Sequence, residues 1–141
     1  MATRLEHANI YVRDIEASAK FLRCAFPDFE VRNEGENEGR RWLHIGTDDT
    51  YIALNQASVE PQEPWVPYAG VPGVNHLGYE VDDADALRDR MRAAGYHDST
   101  VPNEHPWRKR VYFNDPDGND WEFVEYLSED PARRNDYDLA G

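Results

Sequence analysis

The sequence predicts an α+β fold: two βαβββ modules in tandem, each a curved mixed sheet with one helix, forming a cup. Three observations predict it. Leu5-Glu6-His7-Ala8-Asn9-Ile10-Tyr11-Val12-Arg13-Asp14 repeats as Val74-Asn75-His76-Leu77-Gly78-Tyr79-Glu80-Val81-Asp82-Asp83 at an offset of 69 residues. Internal repetition of this kind sets the architecture before any single element does. Each copy also opens with period-two alternation and passes to helical spacing. Between the copies lies a stretch holding Pro61, Pro64, Pro67 and Pro72, which reads as an extended linker. The organisation expected is a first module over 4–56, a linker over 57–73, a second module over 74–127 and a polar tail over 128–141.

Residues 5–12 place Ala8, Ile10 and Val12 on one side and His7, Asn9 and Tyr11 on the other, as a half-buried strand does. Asp14 is placed to cap a helix in which Ile15, Ala19, Leu22 and Phe26 recur at helical spacing, closed by Pro27. Residues 29–31 read as a short strand, and 33–39, charged and with two glycines, as a turn. Residues 41–45 and 51–55 read as two further strands. In the second half, 74–81 is a strand, and Asp83 caps a helix over 84–94 with Gly95 as its stop. A weak strand near 97–101, strands over 110–114 and 121–127, and the turn Asp115-Pro116-Asp117-Gly118 complete the repeat. Trp65 and Tyr68 are unusual in a bare spacer and are expected to dock onto the body. The tail from Ser128 is expected to be loose or to wrap a partner.

A chain of 141 residues suits one domain or two small modules sharing a core. No apolar run approaches the roughly 20 residues that span a bilayer, and the first residues lead straight into a strand with no secretory segment. The single cysteine, Cys24, builds no disulfide framework, so a cytoplasmic location is expected. Its apolar helix neighbours read it as core. With 28 acidic against 15 basic residues and a net charge of -13, nucleic acid is not an expected partner. Nor is a membrane.

Strand alternation puts His7 and His76 opposite the apolar faces that meet the helices. Glu122 alternates with Trp121 and Phe123, and the same offset sets it against Ala53. Three ligands of the His/His/Glu type can then converge, making the cup metal-binding. That set leaves positions open for substrate and suits one Fe2+ or Mn2+, while Ni2+ and Zn2+ also accept it. Singly, a strand histidine is more often a half-buried residue with a hydrogen-bond partner, and a strand glutamate is more often solvated. The equivalence of the three positions in the repeat tips the reading toward metal. Arg110 shares the parity of Tyr112 and suits a substrate anion, although a basic run at a strand edge is commonly just solvated. His44 faces the cavity as an acid/base if Leu43 and Ile45 face the helix. The gapless repeat instead pairs it with the buried-side Phe113, and turn length decides between the two.

The paired modules, the histidine near the start of each, and Asp115-Pro116-Asp117-Gly118-Asn119-Asp120-Trp121-Glu122 resemble the vicinal-oxygen-chelate superfamily over about residues 4–127. Its members include glyoxalase I, methylmalonyl-CoA epimerase, fosfomycin-resistance transferases, extradiol dioxygenases and bleomycin-binding proteins. The resemblance implies a metal held by His7, His76 and Glu122 that chelates adjacent oxygens of a small substrate. Glyoxalase I and the epimerase carry a fourth ligand where this chain has Ala53, with Asn55 as a weak substitute two residues on. His105, Tyr112, the Asp-Pro-Asp-Gly turn and Glu122 fit the extradiol signature, which implies His105 and Tyr112 beside the metal. The expectation is therefore an extradiol-like metalloenzyme. The alternatives are a glyoxalase- or fosfomycin-resistance-like lyase or transferase, and a metal-free bleomycin-type binder using Trp42, Trp65 and Trp107. A homodimer is expected, because neither module buries enough surface alone.

Overall fold

Alternation at the start of the chain becomes strand β1 (His7–Val12) in the computed structural model, which describes residues 1–139. Asp14 ends the extended run and caps α1 (Ile15–Ala25), accepting the Ala17 N–H at 3.1 Å. Phe26 closes the helix before Pro27, as the ring requires. Strands β2 (Glu30–Asn37), β3 (Arg40–Gly46) and β4 (Tyr51–Gln56) follow. They assemble in the order β1-β4-β3-β2, with β1 parallel to β4 and the other pairs antiparallel. Ile15, Phe21 and Leu22 of the helix are buried, as are Val12, Leu43, Ile45, Ile52 and Leu54 of the sheet. These elements belong to one compact unit, Met1–Pro64.

The charged turn expected over 33–39 is instead strand. β2 runs on to Asn37, and only Glu38 and Gly39 turn the chain, both at positive φ (53° and 76°). A two-residue loop of that kind matches the strand twist. Its polar residues suit an edge strand. Gly35 is no turn residue: it lies under the Trp42 indole, where a Cβ would approach Cζ2 to 3.0 Å.

The second unit, Trp65–Gly141, repeats the plan with β5 (His76–Glu80), α2 (Ala84–Ala93), β6 (Arg108–Asn114) and β7 (Asp120–Tyr126). The sheet order is β5-β7-β6, with β5 parallel to β7. Asp83 caps α2 through the Ala86 N–H at 2.9 Å, and Gly95 leaves it at φ 89°. Leu87, Met91, Val111, Phe113, Trp121 and Phe123 form the core. The fourth strand expected near 97–101 reduces to one bridge, Asp98 to Phe113. The Ser99 N–H reaches the Tyr112 carbonyl at 2.9 Å, but the Tyr112 N–H donates to the Thr100 hydroxyl at 3.0 Å. A side chain thus replaces the main-chain acceptor a ladder needs.

Nor is the tail loose. Asp130 caps a short α3 (Pro131–Arg134), whose Arg134 pairs with Glu80 at 2.8 Å and covers the Tyr126 ring. Arg133 lies over Trp107. Among the described residues no helix is long and apolar enough to cross a membrane.

Register exposes where the repeat is uniform. His7 pairs with Tyr51 and His76 with Asp120, so the offset of 69 holds from first strand to last. It slips in the hairpins. His44 pairs with Ala53, whereas Tyr112 pairs with Glu122. The second turn is one residue longer, so the partner of His44 in the repeat is Tyr112, not Phe113.

Candidate functional site

On the second unit, β5 and β7 place His76 and Glu122 on the face away from α2. Register sets Gly78 directly beside Glu122, where a Cβ would come within 3.5 Å of Oε2. His76 Nε2 stands 3.0 Å from Glu122 Oε2, with the two side chains 30% and 16% exposed. Asn75 orients the ring: its Nδ2 lies 3.0 Å from His76 Nδ1, while its Oδ1 accepts the Tyr68 N–H at 2.7 Å. An amide nitrogen donates, so Nδ1 accepts and the ring proton sits on Nε2, facing Glu122.

Tyr68 comes from the proline-rich stretch, at φ 65°, a backbone region uncommon for a tyrosine. Its hydroxyl donates to Asp120 at 2.9 Å. Burial and then the Asp120 hydrogen bond push this hydroxyl up to about 12. Asp120 is itself buried and also accepts from Ser99 at 2.7 Å. Tyr112, from β6, shares the face and bonds Glu122; burial first, and then the Glu122 charge, raises its pKa. Tyr68, Asn75, Ser99 and Asp120 were absent from the residues singled out for chemistry. The signals available were the aromatic in the linker and the polar neighbours of His76.

The Asp-Pro-Asp-Gly turn is scaffolding for this face. Asp115 Oδ1 accepts the N–H groups of Asp117 and Asn119 at 2.9 and 3.0 Å, and Oδ2 accepts the Trp121 indole at 3.0 Å. Burial raises the Asp115 pKa, and these hydrogen bonds oppose the rise. The turn fixes where β7 begins and therefore which face Glu122 takes.

On the first unit, His7 stacks on Tyr51 at 4.7 Å and 10°. Its Nδ1 lies 2.9 Å from Glu6 Oε1 and must donate to that carboxylate. Nε2 is then the nitrogen that can offer a lone pair. His44 lies on the same face, 4.9 Å from Tyr51 and 4.9 Å from Trp42. Burial first, and then the charge of Arg32, lowers its pKa from the ordinary value, so it is neutral near pH 7. Ala53 is buried beneath it, and Asn55 is tied to the Asn9 side chain.

His105 is engaged elsewhere. Its Nδ1 accepts the Trp107 N–H at 3.1 Å, so Nε2 donates to the Asp136 carbonyl at 3.0 Å. Both ring nitrogens hold main chain of the second unit. Among the described residues no group of three His, Cys, Asp or Glu side chains gathers as an ion site. What the second unit brings together is the pair His76–Glu122 with Tyr112 beside it. One imidazole nitrogen and one carboxylate oxygen, adjacent and half-shielded, have the donor chemistry a divalent transition metal takes. Coordination through Nε2 would require the ring proton to move to Nδ1.

Residues 4–123 match the family model described as Glyoxalase/Bleomycin resistance protein/Dioxygenase superfamily. The uncharacterised protein YaeR of Escherichia coli is 29% identical over 126 residues, covering 86% of this chain and 95% of its own. The ethylmalonyl-CoA/methylmalonyl-CoA epimerase of Cereibacter sphaeroides is 31% identical over 102 residues, 67% of this chain and 73% of the enzyme. The fosfomycin resistance protein FosX of Listeria monocytogenes, in complex with Mn(II) and a sulfate ion, superposes with a TM-score of 0.66. That match covers 96% of this chain and 100% of FosX at 16% identity. The repeat and the two-sheet architecture agree with the family-model match over residues 4–123, and the chain belongs to the glyoxalase/bleomycin resistance/dioxygenase superfamily.

Proposed function

We propose that the protein is a divalent-metal-dependent enzyme acting on two adjacent oxygens of a small substrate. His76 and Glu122 are two of the ligands, and His7, the repeat equivalent of His76, is the third. The observation that carries this reading is the His76–Glu122 contact at 3.0 Å on one half-shielded face. Fe2+ or Mn2+ suits the donor set best, with Ni2+ and Zn2+ also accepted; the FosX relative holds Mn(II). A bound cation supplies Lewis acidity for charge developing on a substrate oxygen. Tyr112 keeps its proton and donates it to Glu122, which orients that carboxylate. His44, held neutral, is the proton acceptor the first unit offers. Trp42 flanks it, and Asn55 shares that sheet face.

Redox-neutral chemistry, epimerisation or addition, asks nothing of His105 and is the branch favoured. Extradiol ring cleavage is the second reading, supported by Tyr112 standing at Glu122. Equilibrium dialysis of chelator-stripped protein against Mn(II) tests the metal. One ion per chain is expected, with binding at least roughly tenfold weaker in His7→Ala, His76→Ala and Glu122→Ala, as loss of a ligand demands. Unchanged binding in all three variants sinks the reading. Tight uptake of a bulky cationic ligand by metal-free protein would replace it with sequestration. For the branch, Fe(II)-loaded protein is given a panel of catechols and then air, and a yellow product restores the ring-cleavage reading. We also propose a homodimer in the cytoplasm, and sedimentation at micromolar concentration checks the assembly.

A further inference from the structure

We infer that a cavity on the second unit is a subsite for an anionic group, carboxylate or phosphate, at the far end of the substrate. The inference deepens the metal reading and rests on it for the near end of the molecule. The cavity measures about 530 Å³ and is lined by Tyr68, Ser99, Val101, Asn103, Arg110 and Tyr112. That volume falls in the range of small-molecule sites. Tyr112 belongs both to this wall and to the Glu122 contact, so the space adjoins the proposed ligands.

Most polar groups in the wall are already committed. Tyr68 and Ser99 donate to Asp120, and Asn103 donates to the Val101 and Arg110 carbonyls. Arg110 is the exception. Among the described residues its guanidinium has no carboxylate partner, and its Nε is buried without an acceptor. The exposed Glu104 lines the same space without pairing to it. Arg88 and Arg92 of this unit pair with Asp98, Lys109 with Asp85, and Arg134 with Glu80, all at 2.6–2.8 Å, while Arg108, whose Nε is likewise buried without an acceptor, lies over the Tyr137 ring outside this wall. In a chain of net charge -13, a half-buried guanidinium left without an acid is costly unless something else neutralises it. A guanidinium fork meets carboxylate and phosphate oxygens well. Arg110 and Tyr112 are alternate residues of β6, about 7 Å apart along the strand. The substrate therefore carries its anion only a few bonds from the two oxygens that face the metal.

The test has two arms. In metal-free protein, the arginine Nε–H resonances are followed by NMR during titration with acetate and with inorganic phosphate, the Arg110 peak being identified by its loss in Arg110→Lys. In Mn(II)-loaded protein, calorimetry compares lactate, which offers a hydroxyl and carboxylate pair alone, with malate and phosphoglycerate, which add a second anion. The Arg110 peak should move with one of the anions. Malate or phosphoglycerate should bind roughly tenfold to a hundredfold tighter than lactate, as a charge-assisted hydrogen bond gives. The preference should vanish in Arg110→Gln and survive in part in Arg110→Lys, with dispersed spectra certifying that both variants are folded. An unmoved peak, or an equal preference in both variants, overturns the inference. Loss of Mn(II) binding with a moving peak would overturn the metal reading and leave the anion subsite standing.

Discussion

The two repeat histidines hold their protons on opposite nitrogens. His7 donates from Nδ1 to Glu6, whereas His76 accepts at Nδ1 from Asn75. The first is arranged as a metal-binding imidazole is, with a carboxylate behind it. The second is not, until Asn75 changes what it presents. Asn75→Asp supplies an acceptor to His76 Nδ1–H while keeping one oxygen for the Tyr68 N–H. It should tighten Mn(II) binding roughly tenfold, the scale of such outer contacts, and dialysis would show it; weaker binding would mean the ring ligates otherwise. Asp115 invites a stability measurement instead. Asp115→Ala leaves the buried Trp121 indole and two main-chain N–H groups without their acceptor, and should cost about 3 kcal/mol in urea unfolding. Neither role could be read from the chain alone. The Asp-Pro-Asp-Gly segment announced a turn, but the indole it holds lies on the next strand. His105 fitted a signature by spacing, yet its partner is a tail carbonyl 31 residues away.

At the level of elements, periodicity made β1, α1, β5 and α2 legible, because one face of each is apolar and a polar cap starts each helix. β2 was misread because an edge strand needs no apolar face. The side on which His44 lies was undecided because a hairpin one residue longer shifts the repeat without reversing the face. The segment beside β6 is held by side chains more than by a ladder, and Asp98 is its anchor. Burial pushes the Asp98 carboxyl up, but hydrogen bonds from Thr100 and Arg88 outweigh it and hold it at about 2. A carboxylate depressed in the folded state stabilises above its unfolded value near 3.8 and loses that contribution as pH falls toward about 2. Wild type should therefore lose stability between about pH 4 and pH 2 faster than Asp98→Asn, in thermal melts at stepped pH. Parallel curves would show that Asp98 adds nothing there.

For the whole molecule, the sequence made the duplication plain, and the unequal equipment of the halves only partly so. One half carries a stacked histidine with a neutral His44; the other carries the carboxylate, the tyrosines and a tail pinned by arginine. The cavity wall at 99–104 has no periodic pattern to betray it, and the tail's partners are set by tertiary contact. The proline-rich stretch is more than a spacer, since the Tyr68 N–H holds Asn75, and Asn75 holds the His76 ring. This chain has a consequence for time rather than affinity. If the ring proton must cross to Nδ1 before an ion can bind, and the amide must first let go of Tyr68, uptake is gated by the protein. The observed rate in stopped-flow mixing would then level off as Mn(II) is raised, instead of climbing in proportion. Asn75→Asp, which needs no rotation, would restore the proportional climb.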